Sequence, residues 1–266
     1  MAEFPRVRVD RRADGVRLLV LDDPERRNAM TARLLSDFSA AVAGLASDPE
    51  ARVLVVTGAG KHFCSGADFR DPPASDPELP PGLRFHASAR ATYGAFLGLL
   101  DLEIPTIAAV NGAAIGGGLG LALLCDLRVV AEDARLGATF ATLGFHPGMA
   151  ITYLLPRLVG LPRAAEILFT GRVLGGREAL ELGLANRCVP AAELLDAALG
   201  LAGEIAEKAP LAIRLMKRAL YRALDFDPRE AAEYEALAQA LTLESEDAGE
   251  GIRALLEKRK PVFRGR

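Results

Sequence analysis

Three observations predict an α/β fold with a helical C-terminal part. Apolar runs rich in valine and leucine recur at Val16–Leu21, 52–57 and Thr106–Val110, as in strands buried on both faces. Between them lie segments with apolar residues at helical spacing, and a helix joining parallel strands makes a right-handed crossover. From Met149 onward the pattern turns mostly helical. The expected division is a core over residues 1–190 and a helical region over 191–266.

The elements follow in chain order. The run Val16–Leu21 stops at Asp22-Asp23-Pro24, and the run 52–57 stops at Gly58-Ala59-Gly60. Thr31 is placed to cap a helix in which Leu34, Leu35, Phe38, Ala41, Val42 and Leu45 form one face, until Asp48-Pro49 ends it. A second helix is expected over 83–100, ahead of the strand at Thr106. Residues 71–81 hold five prolines and no periodicity, so they read as a loop beside a glycine-centred segment. Asp227-Pro228-Arg229-Glu230 is a helix start in which Asp227 caps, Pro228 fits the first turn and Glu230 completes the capping box. The chain ends in a basic helix terminus followed by an extended tail containing Phe263.

Composition narrows the function classes. The chain has 266 residues, 25% charged and 50% hydrophobic, with a formal net charge of -3, so it offers no basic field for nucleic acid. Cys64, Cys125 and Cys188 are far apart and form no CxxC pair, which points to neither a disulfide framework nor a metal site and suggests a reducing cytoplasm. Residues 1–15 mix arginines with acids around no apolar core, so no secretory signal is expected. Residues 104–125 carry no charge, yet Pro105, Asn111 and several glycines break any continuous helix, so no membrane span is expected.

Two glycine-centred segments stand out, Phe63-Cys64-Ser65-Gly66-Ala67-Asp68 and Gly116-Gly117-Gly118-Leu119-Gly120. Each follows an apolar strand, and glycine lets a turn present bare backbone N–H groups, so together they suggest an oxyanion hole; simple chain reversal is the other reading. Phosphate-binding motifs do not fit. A P-loop would need Ser or Thr where His62 stands and glycine where Val55 stands, and the dinucleotide spacing puts Leu121 where its third glycine belongs.

The order and spacing of these segments resemble the crotonase superfamily, the enoyl-CoA hydratase/isomerase family. The resemblance extends through Arg27-Asn28-Ala29, the stretch from Pro105 to Gly112, Cys125-Asp126, the stretch from Leu154 to Gly160, and Thr170-Gly171, nearly the whole chain. It implies a spiral of repeated ββα units with a helical C-terminal region that mediates trimerisation, or hexamers. It further implies an acyl-CoA thioester whose oxygen is held by the N–H groups of Ala67 and Gly117, with no cofactor beyond the coenzyme A of the substrate. CoA recognition is implied near Arg26, Arg27 and Ala29, along Asp68 and Phe69, and from Phe263, reaching within the subunit or into a neighbour.

The same alignment exposes a departure. Hydratases of this family carry two glutamates beside the reacting carbons, and here Gly120 and Phe140 stand at those positions. Neither transfers protons. The position from which some family isomerases and dehalogenases draw a carboxylate is Gly148. Phe140 suggests an apolar wall for the acyl group. His146 is the nearest candidate acid or base, with His86 and Asp71 behind it; Tyr93 reads as helix packing, His62 as the surface of its turn, Cys64 as an inert buried thiol and Asp126 as a structural hydrogen-bond partner. Three functions fit: a hydratase/isomerase-class enzyme with a substitute for the glutamates, a decarboxylase or hydrolase using the same enolate, or an acyl-CoA-binding homologue without turnover.

Overall fold

The computed structural model describes residues 5–70, 78–223 and 225–266. Asp71 and most of the proline-rich loop lie outside the described residues.

The chain opens with β1 (Val7–Arg11) and β2 (Val16–Leu21), paired antiparallel, and continues into α1 (Ala32–Ala46). Thr31 caps α1 as the sequence predicts, its Oγ1 accepting from the Leu34 N–H at 3.2 Å. The buried face of α1 is the six apolar residues read from the periodicity. Three ββα units follow: β3 (Val53–Gly58), β4 (His62–Cys64) and α2 (Pro81–Leu97); β5 (Thr106–Val110), β6 (Ala113–Ile115) and α3 (Gly117–Leu124); β7 (Leu127–Ala131), β8 (Arg135–Gly137) and α4 (Ile151–Val159). In each unit the first strand enters one sheet and the second strand enters another, so the chain winds as a spiral. After α5 (Leu161–Thr170), β9 (Val173–Gly175) and α6 (Gly176–Glu181), β10 (Arg187–Val189) closes the larger sheet.

The larger sheet runs β1-β2-β3-β5-β7-β10 and the smaller β4-β6-β8-β9. Every residue of β2, β3 and β5 is buried, which is why their sequences are continuously apolar. The polar exceptions are Thr57 of β3, Thr106 of β5 and the one charged residue, Arg17 of β2, whose guanidinium Nε donates to Asp48 at 2.9 Å. The strands missed in sequence are mostly the three-residue ones, too short for periodicity to register. His62 is one correction: it sits half-buried in β4 with its Nδ1 buried and unpaired among the described residues, not on the surface of its turn.

Beyond residue 190 lie α7 (Leu194–Ala206), α8 (Pro210–Arg222), α9 (Pro228–Leu243) and α10 (Glu246–Leu256). Helix α7 packs on β2, β3, β5 and β7 and buries Leu194, Ala198, Ala202 and Ala206, so the core runs on into the helical region. Helices α8 and α9 bury no residue, and Met216, Leu220, Leu237 and Leu241 are exposed. The capping box predicted at Asp227 is formed. Asp126 anchors α8, as its structural role predicts: it takes the N–H and hydroxyl of Thr106, the Tyr221 hydroxyl at 2.5 Å and the Lys217 ammonium at 2.9 Å. The uncharged stretch 104–125 is β5, β6 and α3, and among the described residues no helix is long and apolar enough to cross a membrane.

Candidate active site

The site is assembled from four turns at the ends of the spiral's strands. The first runs through Arg27 and Asn28, both with left-handed backbone at φ 56° and 53°. Asn28 holds it in place: its side-chain oxygen accepts from the Asp23 N–H at 2.9 Å, and its amide donates to the carbonyls of Ala59 (3.0 Å) and His62 (2.7 Å). A fully satisfied buried asparagine fixes a turn that two non-glycine left-handed residues would otherwise resist. The second turn is stapled to the first, because the Ser65 N–H donates to Arg27 O at 3.1 Å and the Met30 N–H to Gly66 O at 2.8 Å.

The third turn starts α3. Gly116 has φ 56° and ψ -116°, and its N–H donates to Gly137 O at 2.8 Å. Gly66 (φ 82°) lies directly against this turn: a Cβ built on it would be 2.6 Å from Ile115 O and 3.3 Å from the Gly117 nitrogen. A Cβ on Gly118 would fall 2.8 Å from the Cys64 carbonyl carbon. The glycines are therefore required by close approach as much as by turn geometry. Among the described residues, neither the Ala67 N–H nor the Gly117 N–H donates a hydrogen bond. Gly117 is the first residue of α3, where an N–H has no intrahelical partner.

The fourth turn, 140–150, forms the wall. The Phe140 ring lies 3.7 Å from a Cβ position on Gly116, and Phe140 O accepts the N–H groups of Leu143 and Phe145. Phe145 meets Phe69 with ring centroids 5.9 Å apart, joining this turn to the end of the second. Met149 and Ala150 are both left-handed, at φ 58° and 54°, a strain of about 1–3 kcal/mol each that packing must hold. Met149 is buried, and its Cγ lies 3.7 Å from a Cβ position on Gly117 and 3.1 Å from one on Gly120. Met30 reaches the same place from the first turn, its Cε 3.0 Å from the Cβ position of Gly117. Tyr93 of α2 places its hydroxyl against Gly148, with its Cζ 2.7 Å from the Cβ position there.

Residues 11–266 match the family model for Enoyl-CoA hydratase/isomerase. The chain belongs to the enoyl-CoA hydratase/isomerase family. It is 38% identical over 258 residues to the mitochondrial enoyl-CoA hydratase domain-containing protein 2 of Mus musculus, spanning 95% of this chain and 85% of that one. It is 36% identical over 256 residues to the crotonyl-CoA hydratase of Syntrophomonas wolfei, spanning 92% and 93%. The crystal structure of an enoyl-CoA hydratase from Bacillus anthracis superimposes with a TM-score of 0.92 at 33% identity, covering 98% of this chain and 100% of that one.

Within this family fold, the turns bring together Ala29, Ala67, Asp68, Phe69, Gly117 and Phe140 from the residues singled out in sequence. Asp68 is buried, and its carboxylate is occupied by its neighbour: Arg70 donates its N–H at 3.0 Å and its Nε at 3.1 Å. That hydrogen bonding, with Arg26 adding positive charge, holds the Asp68 carboxyl below the usual range. Arg26 and Arg27 are exposed beside the first turn. Phe263 packs away from these turns within the chain, its carbonyl accepting from Arg52 at 2.7 Å and its ring 3.5 Å from a Cβ position on Gly251 in α10. His146 is exposed with its Nδ1 2.7 Å from Pro147 O, and His86 is exposed on α2. Cys64 is fully buried, and burial pushes its thiol up to about 12, which fits an inert packing role. Sequence reasoning passed over Met30, Phe145 and Met149 and took Tyr93 for packing alone; no local pattern marks them, because each meets its glycine across the fold.

Proposed function

We propose that the chain is an acyl-CoA enzyme in which the Ala67 and Gly117 N–H groups stabilise the enolate oxygen of a thioester. The observation that carries this is a pair of backbone amides without partners among the described residues, on turns packed so closely that Gly66 admits no side chain. Two preorganised donors at one oxygen act where charge develops, each worth about 2.7–4 kcal/mol in the transition state. The Gly117 amide also stands at the positive end of α3. Arg26, Arg27 and Ala29 on the first turn and Asp68 and Phe69 on the second are assigned to the CoA, with Phe140 against the acyl group. Phe263 would reach a CoA from a neighbouring subunit.

Ordinary two-glutamate hydration is not assigned, although the relatives carry hydratase names, because Gly120 and Phe140 occupy the glutamate positions. Met149 fills the space beside Gly120, which favours the second reading: an enolate reaction without a carboxylate pair, such as decarboxylation or hydrolysis, or binding without turnover. His146 is the histidine candidate for the missing acid or base. The exposed apolar residues of α8 and α9 support a homotrimer or hexamer, the widely spaced free thiols support a reducing cytoplasm, and the family resemblance implies no cofactor beyond the coenzyme A of the substrate.

Incubating the protein with enoyl-, malonyl- and β-ketoacyl-CoA thioesters, with mass analysis of the products, tests the assignment. A kcat unchanged in Gly117→Pro would refute the oxyanion role. Light scattering on the purified protein reads the oligomer directly, and a monomer would refute the trimer.

A further inference from the structure

At the N-terminal ends of β2 and β3, opposite the turns of the candidate active site, lies a cavity of about 670 Å³. Gly15 and Arg52, which directly precede the two strands, line it, so about 20 Å of strand separates it from the turns that follow them. Five arginines share its walls: Arg12, Arg17, Arg52, Arg214 and Arg264. The acids nearby are already engaged. Asp14 receives Arg12 at 3.4 Å, and Asp48 and Glu50 both receive Arg17, at 2.9 and 3.5 Å. Arg52 reaches main-chain carbonyls, those of Ala206 at 2.9 Å and Phe263 at 2.7 Å, which accept its N–H groups without neutralising its charge. Among the described residues, the Arg214 and Arg264 guanidinium groups make no ion pair and donate no hydrogen bond. The walls therefore keep an excess of positive charge.

The segments that carry these three arginines are fixed. Arg52 lies across Gly15, its Cγ and Cδ 2.8 and 2.9 Å from the Cβ position there, an approach that needs glycine. Asp247, buried in α10, accepts the N–H groups of Arg264 and Gly265 at 2.7 Å each and so anchors the tail. Arg214 stands one turn into α8, whose first residues, Pro210 and Leu211, line the same cavity. That first turn holds no acidic residue, and its positive dipole end adds to the field of the arginines.

We propose that this cavity binds a small polyphosphate anion, free or as the phosphate chain of a nucleotide, through Arg52, Arg214 and Arg264. The proposal is independent of the oxyanion reading, because it concerns the opposite ends of the strands. Planar guanidinium forks donate paired hydrogen bonds to phosphate oxygens, and an anion of several charges matches several arginines where a single charge would not. Among the described residues no aromatic ring lines the cavity, so a base finds nothing to stack on and the phosphates alone are read. The bound anion ties the β1–β2 turn, the start of β3, α8 and the tail together, and so strengthens the docking of the helical region on the core.

Calorimetric titration of the full chain with sodium pyrophosphate at low salt tests this, with ATP titrated in parallel. Expected are one site per chain, ATP affinity within about threefold of pyrophosphate, and a Tm that rises with pyrophosphate concentration. The double variant Arg214→Gln/Arg264→Gln should bind pyrophosphate at least about tenfold more weakly, the worth of one charge-assisted hydrogen bond, with its circular dichroism spectrum unchanged. Arg26→Gln/Arg27→Gln, or wild-type protein saturated with coenzyme A, should keep pyrophosphate affinity within about twofold. Loss of affinity in either of those two arms instead would assign the phosphate to the CoA site and overturn the proposal. Absence of pyrophosphate binding, or full affinity in Arg214→Gln/Arg264→Gln, overturns it as well. ATP binding more than about tenfold tighter than pyrophosphate overturns the statement that the phosphates alone are read.

Discussion

Gly120 and Met149 share one volume. A Cβ on Gly120 would collide with the Met149 Cβ and lie 3.1 Å from its Cγ and 3.4 Å from its carbonyl oxygen. The absence of a carboxylate at position 120 is thus built into the packing, since the space that a side chain would need is already filled by a buried methionine on a left-handed backbone.

Restoring the glutamate alone should therefore fail. Gly120→Glu is expected to destabilise the fold by about 1–3 kcal/mol through overpacking and to give no hydration of crotonyl-CoA. Adding Met149→Gly, which removes the colliding Cβ and suits the left-handed backbone there, should recover part of that loss, with a coupling of about 1 kcal/mol or more in a double-mutant cycle. The chain has no tryptophan, so urea unfolding followed by far-ultraviolet circular dichroism is the suitable readout. Additive losses would show that the two sites do not share space.

Gly117→Pro removes one proposed oxyanion donor at a place where proline suits the backbone, the first residue of a helix. Whatever acyl-CoA is turned over, kcat is expected to fall about 10²–10³-fold, the usual effect of losing one donor, while helix content is unchanged. Met30, the nearest obstacle to the added ring, meets it through the end of a flexible side chain. A drop confined to KM would indicate that the amide binds ground state and transition state alike.

The three thiols should differ in reactivity. Burial pushes Cys64 and Cys125 up to about 12, and Cys188, half-buried in β10, is raised as well. The thiolate is the nucleophile, so iodoacetamide at pH 8 should leave Cys64 and Cys125 unmodified in the native protein and label Cys188 slowly. Peptide mass analysis with and without urea checks this. Rapid native labelling of Cys64 would reopen its reading as a nucleophile.

What the sequence made legible is what short-range periodicity encodes. Thr31 and the apolar face of α1, the capping box at Asp227 and the buried runs of β2, β3 and β5 all follow from residues a few places apart. The two glycine turns were legible as turns, and family resemblance linked them. Their reason for being glycine was not, since Gly118 is constrained by Cys64 and Gly66 by Ile115, contacts that exist only once β4 and β6 are paired. The same holds for Tyr93, whose position in α2 looks like packing until Gly148 is seen beside its hydroxyl.

The ion pair between Arg17 and Asp48 makes the fold acid-sensitive. Arg17 is 1% exposed and Asp48 4%, with Nε to Oδ2 at 2.9 Å. The hydrogen bond from Arg17 is the main cause holding the Asp48 carboxyl below the usual range, against a burial effect in the opposite direction. In the unfolded chain that carboxyl returns to about 3.9, so on acidification the unfolded state binds its proton first. The contribution of Asp48 to stability is therefore complete above about pH 5, shrinks as pH falls through 3.9, and is gone once the pH is below the depressed folded value. Asp48→Asn leaves Arg17 charged, buried and without its closest anion, and should cost about 3–5 kcal/mol at pH 7. The gap between wild type and variant should narrow from pH 5 to pH 3 in urea titrations; a gap that does not change over that range would mean the carboxylate is not the stabilising form.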